Sequence, residues 1–510
     1  MDDWTCIRRI QMDLRSTIEA AKNAASGNQC VNRAYSMRDE LRSIGLATLQ
    51  ERQVTVSALI EQDLHQNFAL VAQLRQQGRF AEALVCATRG LEQARAGLGE
   101  NHPATAISLD NLAGLHQAMG EYETALSFAT QAVAICRRLG GGSHLILASP
   151  LNQLGVIHEG MGNYAQAIPV FVESLAIKRQ ALGREHPDIA ISLDNLAMAY
   201  KHIGDFGAAE PLSREALEIA CQTLGADHPT TATILSNRAT LCQETGDYRQ
   251  AESLHSQALN IRRKVLGEQH PQVALSLDEL ALLYQKAGDY KAAEPFHQRA
   301  LEIVRNAFGD DHPDVADCMS NLAMLYRATA RYQAAEPLYL QALAIRRRAF
   351  GELHPAVAGA LNNLALLYQA IGNYGAAEPL YQQSLAIERQ VFGPEHPAVA
   401  TGLDNLSGLC AETGEYRKAE TLSRQALAIR RKSLGEAHPD VADSLNNLAL
   451  LCQKAGNYGE VESLYRQALE IHRRAEASDG LALASVLNNL ALFHRATGNY
   501  RAAVPLYIYT

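Results

Sequence analysis

The segment Gly-x-x-His-Pro returns every 42 residues along this chain, with its histidine at His102, His186, His228, His270, His312, His354, His396 and His438. Two further places in the series are degenerate: His144 is followed by Leu145, and Gly480 stands where a histidine is due. The spacing survives both. A fixed period of this length means one supersecondary unit copied and stacked, each copy burying its apolar face only against its neighbours. Such a stack grows a layer at a time, so 510 residues need not be divided among separate globular cores.

Within one period, Leu361, Leu364, Ala365 and Tyr368 fall at i, i+3, i+4 and i+7, the spacing of one apolar helical face. Gly372-Asn373-Tyr374 interrupts the pattern. Ala377, Leu380, Tyr381, Ser384, Leu385 and Ile387 then resume a helical period that ends at Phe392-Gly393. Each unit therefore reads as a helical hairpin, helix A followed by helix B, and no window shows the alternation of a half-buried strand. The predicted class is all-α. In the His-Pro pair, Pro suits the first position of helix A, where a missing N–H costs nothing, and the glycine before it is expected to end helix B in a left-handed cap.

The chain resembles the tetratricopeptide repeat (TPR) family at Leu361, Leu364, Ala365, Tyr368, Gly372, Ala377, Tyr381 and Ser384, with Ala258, Ala300, Ala342, Ala426 and Ala468 in the last place elsewhere. The lengthened unit, with Asn-Leu-Ala-x-Leu-Tyr, Tyr-x-x-Ala-Glu-Pro-Leu and Gly-x-x-His-Pro, is similar to the repeats of kinesin light chains. The resemblance implies a TPR superhelical solenoid of antiparallel helix pairs. It covers residues 61–510, about eleven units with the last truncated, behind an expected helical cap or extension at 1–60. That segment lacks the sustained heptads of a kinesin light chain coiled coil.

Charge and composition exclude several classes. A net charge of −9 without a long basic block argues against nucleic acid as a partner. No apolar run approaches the ~20 residues that span a bilayer, so neither signal nor membrane anchor is expected. Cys242, Cys410 and Cys452 occupy the slot of Tyr200, Tyr284, Tyr326 and Tyr368, which makes them packing residues. Reduced thiols point to the cytoplasm. One histidine per unit along a rod cannot converge on a shared metal ion. No phosphate loop, nucleophile elbow or zinc helix is present, so neither a cofactor nor catalysis is expected.

Function is then sought on the surface the stack creates. In the family the A helices line the concave wall, where partner peptides lie. One asparagine of helix A recurs there as a ladder: Asn111, Asn195, Asn237, Asn321, Asn363, Asn405, Asn447 and Asn489, with Gln153 and Glu279 as variants. An amide offers donors and an acceptor to an extended backbone, and the family often clamps peptides from this slot. The alternative role is to bond the neighbouring helix and fix the stacking angle. Lys201, Arg327, Gln369 and Gln453 stand near the ends of the same helices and complete the candidate peptide-binding set.

Four local expectations remain. Leu145 lacks the usual proline, so helix A of that unit should start late, capped by Ser149-Pro150, with a bend or hinge at Gly140–His144. Proline near the sixth position of helix B, as at Pro337 and Pro379, should remove one backbone bond and curve the helix without ending it. The basic ends of helix B, Arg262-Arg263-Lys264 and Arg430-Arg431-Lys432, should be solvated and complement the helix dipole. The apolar end at Leu506–Tyr509 suggests weak self-association. The functional expectation is a non-enzymatic scaffold that binds extended peptides, with a kinesin-light-chain-like cargo adaptor or a ligand-gated regulator as alternatives.

Overall fold

The computed structural model describes residues 57–58, 60–140, 145–474 and 480–508. Among these residues there are helices and turns and no strand. Eleven helix pairs follow in chain order. Unit 1 pairs the helix at 60–76 with Phe80–Leu98, unit 2 pairs Pro103–Ala118 with Tyr122–Gly140, and unit 8 pairs Pro355–Ile371 with Tyr374–Phe392. Unit 11 pairs Gly480–Ala496 with the short Tyr500–Ile508. The expected cap lies almost wholly at 1–56, outside the described residues, as do Gly141–His144 and the final Tyr509-Thr510.

The hairpin signature residues are the core. Leu361, Leu364, Ala365, Ala377 and Tyr381 are all buried, and the alanine that begins the packing of helix B is fully enclosed from Ala83 and Ala125 through Ala377 and Ala419. An alanine there lets the two helices of a unit approach closely, and each fully buried leucine beside it contributes about 1.5–3 kcal/mol. Ser384 and Ser174 sit where most copies have alanine, and each hydroxyl donates to a carbonyl of its own helix A, Ala358 and Ala148, at 2.8 Å. Cys410 and Cys452 are buried in the tyrosine slot and Cys242 is half-buried there, whereas Cys221 is exposed.

The start of helix A is set by the histidine as well as the proline. In every His-Pro unit the histidine is the N-cap, and its Nδ1 accepts the N–H two residues on, as from Ala356 to His354 at 3.0 Å and from Asp440 to His438 at 3.1 Å. One of the orphan donors of the first turn is thereby satisfied. The glycine closing helix B departs from the expected left-handed cap. Gly183 has φ 84° and ψ 174°, and Gly351 φ 82° and ψ 176°. Positive φ with extended ψ is open essentially to glycine alone, and it turns the chain straight out toward the next N-cap. The left-handed caps end helix A instead, at Gly372 and Gly456.

Two other expectations meet different outcomes. The helices continue through Pro169, Pro211, Pro295, Pro337 and Pro379 as anticipated. Helix A of unit 3 does start late, after a 3-10 turn at Leu145–Leu147, but Ser149 does not cap it. The helix begins at Ala148, so Ser149 lies in its first turn, where its hydroxyl reaches Asp110 Oδ2 at 3.3 Å. The 3-10 turn absorbs the lost proline two residues sooner than a serine cap would. The apolar core runs unbroken across this joint through Ile135, Leu147, Leu151 and Ile177.

Candidate functional site: the inner wall of the A helices

The A helices of neighbouring units touch one another, as between units 2 and 3, 4 and 5, and 7 and 8, while the B helices do not pack together to that extent. Closer approach on one side curves the stack, so the A helices form its inner wall. The asparagine ladder lies in these A–A contacts. Asn195 Nδ2 donates to Asn152 Oδ1 at 2.9 Å, Asn237 to Asp194 Oδ2 at 2.7 Å, Asn321 to Asp278 Oδ2 at 3.4 Å, Asn405 to Asn362 Oδ1 at 2.8 Å and Asn489 to Asn446 Oδ1 at 3.0 Å. Five of the candidate amides thus hold one unit to the one before it.

Their acceptors form a second row that the sequence reading passed over, each residue standing immediately before a ladder position. The signal was present as Asp, Asn or Ser at the ladder's own period. Exceptions in one row follow exceptions in the other. Before the preceding unit's ladder residue, Asn363 would find Ser320, whose hydroxyl is committed to the Ala316 carbonyl at 2.7 Å; Asn447 would find Asp404, already engaged by Arg430. Among the described residues these two amides donate to no neighbouring unit. Asn363 is half-buried and Asn447 is exposed.

The remaining candidates are tied into the same wall. Gln369 accepts from the buried Tyr381 hydroxyl at 2.7 Å and donates to Glu412 of the next unit at 3.0 Å. Gln453 occupies the matching place, but the buried Tyr465 hydroxyl finds no partner among the described residues. We expect Tyr465→Phe to raise stability by about 1 kcal/mol and Tyr381→Phe to lower it by a similar amount. Urea unfolding of the two variants checks the opposite signs. Arg327 lies beside the Tyr339 hydroxyl. Burial holds the Lys201 ammonium below the usual lysine range, and the nearby Glu244 and Glu159 work against that effect.

Burial also dominates the acidic side chains of the wall. It pushes the Asp194 carboxyl up to about 7 and Asp110 to about 6, partly offset by hydrogen bonds from Asn237 and Ser149 respectively. Glu159 rises to about 7 through burial, against the pull of Lys201. The expectation that the basic ends of helix B are solvated is overturned for the first arginine of each run. Arg262 is 2% exposed, donates to Ser276 at 2.5 Å and lies 3.5 Å from Glu279. Arg430 pairs with Asp404 and donates to Ser444 at 2.6 Å. These positions fall on the face that meets the next unit's helix A, whereas Lys264 and Lys432 point to solvent.

No group of His, Cys, Asp and Glu that would hold a metal ion occurs among the described residues, and no helix among them is long and apolar enough to cross a membrane. Among solved structures, BtubC (BKLC) from P. vanneervenii is 25% identical, with 45% of this chain and 92% of that chain covered and a TM-score of 0.39. The nearly identical TPR-like repeats of a Podosopora anserina protein assigned as a kinesin light chain are 28% identical over 40% of this chain and 98% of that chain, with a TM-score of 0.34. A Rap protein complexed with competence and sporulation factor is 12% identical over 79% and 95%, with a TM-score of 0.44. No curated protein matches the chain. The tetratricopeptide repeat model matches nine stretches: 64–138, 110–180, 146–222, 213–264, 230–303, 273–348, 356–432, 409–474 and 440–508. With helix pairs of the same signature stacked through those stretches, the chain belongs to the tetratricopeptide repeat family, in a 42-residue form like that of kinesin light chains.

Proposed function

We propose that this protein is a non-enzymatic scaffold that binds an extended segment of a partner protein along the inner wall of its superhelix. The observation that carries this reading is the recurrence of amides at one place in successive A helices, of which the half-buried Asn363 and the exposed Asn447 keep their donors uncommitted to neighbouring units among the described residues. Polar donors spaced one per unit suit the main chain of an extended peptide without reading its side chains. Asn195, Asn237, Asn321, Asn405 and Asn489 keep a carbonyl oxygen for a ligand while their N–H groups hold the stack. Lys201, Arg327, Gln369 and Gln453 flank the row. A partner within the cytoplasm fits the reading of the cysteines as reduced packing residues.

The test uses the ladder residues that do not stack. In Asn363→Ala/Asn447→Ala, the melting temperature and helicity should stay at the wild-type values, because no inter-unit bond is removed. Quantitative pull-down from native lysate, followed by titration of the captured partner's segment, should show affinity reduced about tenfold, the equivalent of two neutral hydrogen bonds at about 0.5–1.5 kcal/mol each. Partners bound equally by wild type and variant would place binding on another surface.

A further inference from the structure

The chain touches itself at a distance that the repeat alone does not foretell. His354 Nε2 meets the Ala118 carbonyl at 3.2 Å and His438 Nε2 meets the His202 carbonyl at 3.3 Å, each across 236 residues, or about 5.6 of the 42-residue units. His396 is aimed at the matching Gly160 carbonyl, beyond full hydrogen-bond geometry. The superhelix has completed a turn, and its second turn rests on its first.

Four rungs make this contact. The glycines between helices A and B of units 1 to 4, Gly78, Gly120, Gly162 and Gly204, face the His-Pro starts of units 7 to 10. A methyl group added at Gly120 would lie 2.5 Å from Pro355, and at Gly162 2.6 Å from Pro397, whereas at Gly246, Gly288 and Gly372 it would meet nothing within 4 Å among the described residues. The fifth rung would pair Gly246 with Gly480, the place where the histidine is missing.

Aromatic residues mark the same boundary. Helix B ends in phenylalanine at Phe308, Phe350 and Phe392 and in leucine at Leu98, Leu182, Leu266 and Leu434. Each phenylalanine stacks on the histidine of its own rung at 4.1–4.3 Å between ring centres, His312, His354 and His396 respectively. Phe350 and Phe392 also touch Phe80 and Tyr122 of the first turn, at 5.5 and 5.3 Å. The seam therefore has its own residues, placed at three of the four rungs, while the fourth keeps Leu434 before His438.

We propose that these four rungs form a latch that holds successive turns of the superhelix together and releases when its histidines take up a proton. The chemistry of the ring requires the neutral form. Nδ1 must accept the N–H of the first helical turn while Nε2–H donates to the opposite carbonyl, so both nitrogens are committed in the single Nε2–H tautomer. A second proton on Nδ1 would oppose the backbone donor and bring charge into a dry contact.

The surroundings agree in direction. Burial lowers His354, with Arg346 adding to the effect and the Ala118 carbonyl opposing it. It lowers His396 to about 4 against the Gly160 carbonyl. It lowers His438 despite Asp440, Asp443 and the His202 carbonyl, with Arg430 acting alongside burial, and lowers His202 to about 4 with Lys201 and His438 acting alongside and Glu244 opposing. Asp314 lies 3.6 Å from His312 on the same helix. A histidine with a depressed value binds its proton more readily once exposed, so the latch is intact above pH 6.5 and weakens as pH falls toward about 4.

Small-angle X-ray scattering of the full chain, with circular dichroism on the same samples, tests the latch. Wild type should show a larger radius of gyration at pH 5.0 than at pH 7.5, with helicity retained. Gly120→Ala/Gly162→Ala should be expanded already at pH 7.5. Gly246→Ala/Gly288→Ala, which imposes similar positive-φ strain away from the seam, should match wild type at both pH values. His354→Asn/His396→Asn/His438→Asn preserves a capping side chain and removes the Nε2 donor, so it should be expanded at both values and insensitive to the change. It also reads the latch should the glycine variant not fold. Wild-type dimensions unchanged by acid, equal expansion of both glycine pairs, or acid expansion of the histidine variant equal to that of wild type would each overturn the proposal.

Discussion

Asp194→Asn should stabilise the protein at pH 8 by about 2–3 kcal/mol, an unusual gain for a single substitution. Asp194 is 5% exposed, and among the described residues its Oδ1 has no partner while Oδ2 accepts from Asn237. The folded carboxyl is held near 7, against 3.8 in the open chain. At pH 8 the native state must therefore carry a buried charge with one oxygen unsatisfied. An asparagine still accepts from Asn237, as Asn152 and Asn362 do from Asn195 and Asn405. Because the folded value is raised, wild type has the full benefit of the neutral acid below pH 3.8 and loses it as pH rises through about 7. The advantage of the variant should accordingly be near zero at pH 3.5 and grow to its plateau by pH 8. Urea unfolding at a series of pH values measures this directly, and a pH-independent difference would mean that packing rather than ionisation is responsible.

Glu279→Asn should destabilise the protein by about 2–4 kcal/mol even though asparagine is the usual residue of the ladder. Glu279 accepts from Ser236 at 2.8 Å and lies 3.5 Å from Arg262, which is buried and whose guanidinium is pulled below its ordinary value by desolvation, against the opposing pull of Glu279. Removing the carboxylate strands that cation. The double variant Arg262→Ala/Glu279→Asn should recover to within about 1 kcal/mol of wild type, because it reproduces the Ala220 and Asn237 pair one unit earlier. A double-mutant cycle checks this, and simple additivity of the two losses would refute the pairing.

These two results would separate the readings of the ladder. Its asparagines look alike in sequence, yet among the described residues five bond the preceding unit and three, Asn111, Asn363 and Asn447, do not, and Glu279 answers to an arginine on the previous helix B. The difference comes from the residue one place earlier in the neighbouring unit: Asp194 and Asn362 accept an amide, Ser320 turns to its own helix, and Asp404 is taken by Arg430. The correlation lies 43 residues apart. It becomes legible only when the register between adjacent A helices is known. Arg262 and Arg430 escaped the sequence reading for the same reason. A basic residue in the last turns of a helix is stabilised by the dipole whichever way it points, and only packing decides whether it faces solvent or the next unit.

What the sequence determined by itself was everything that repeats: the helical hairpin, its 42-residue period, the alanine and leucine columns of the core, the His-Pro entry to helix A and the proline-tolerant helix B. These depend on contacts within a unit or between adjacent units, and a periodic chain states each of them many times over. What only the tertiary structure decided was how far the stack curves. Each unit turns slightly on the last, and the sum over about five and a half units brings Gly120 to Pro355 and Ala118 to His354. A small change in that rotation would move the meeting point along the chain or separate the turns altogether. Phe308, Phe350 and Phe392 were visible in the sequence as departures from leucine, but their meaning depended on a pitch that no single unit contains.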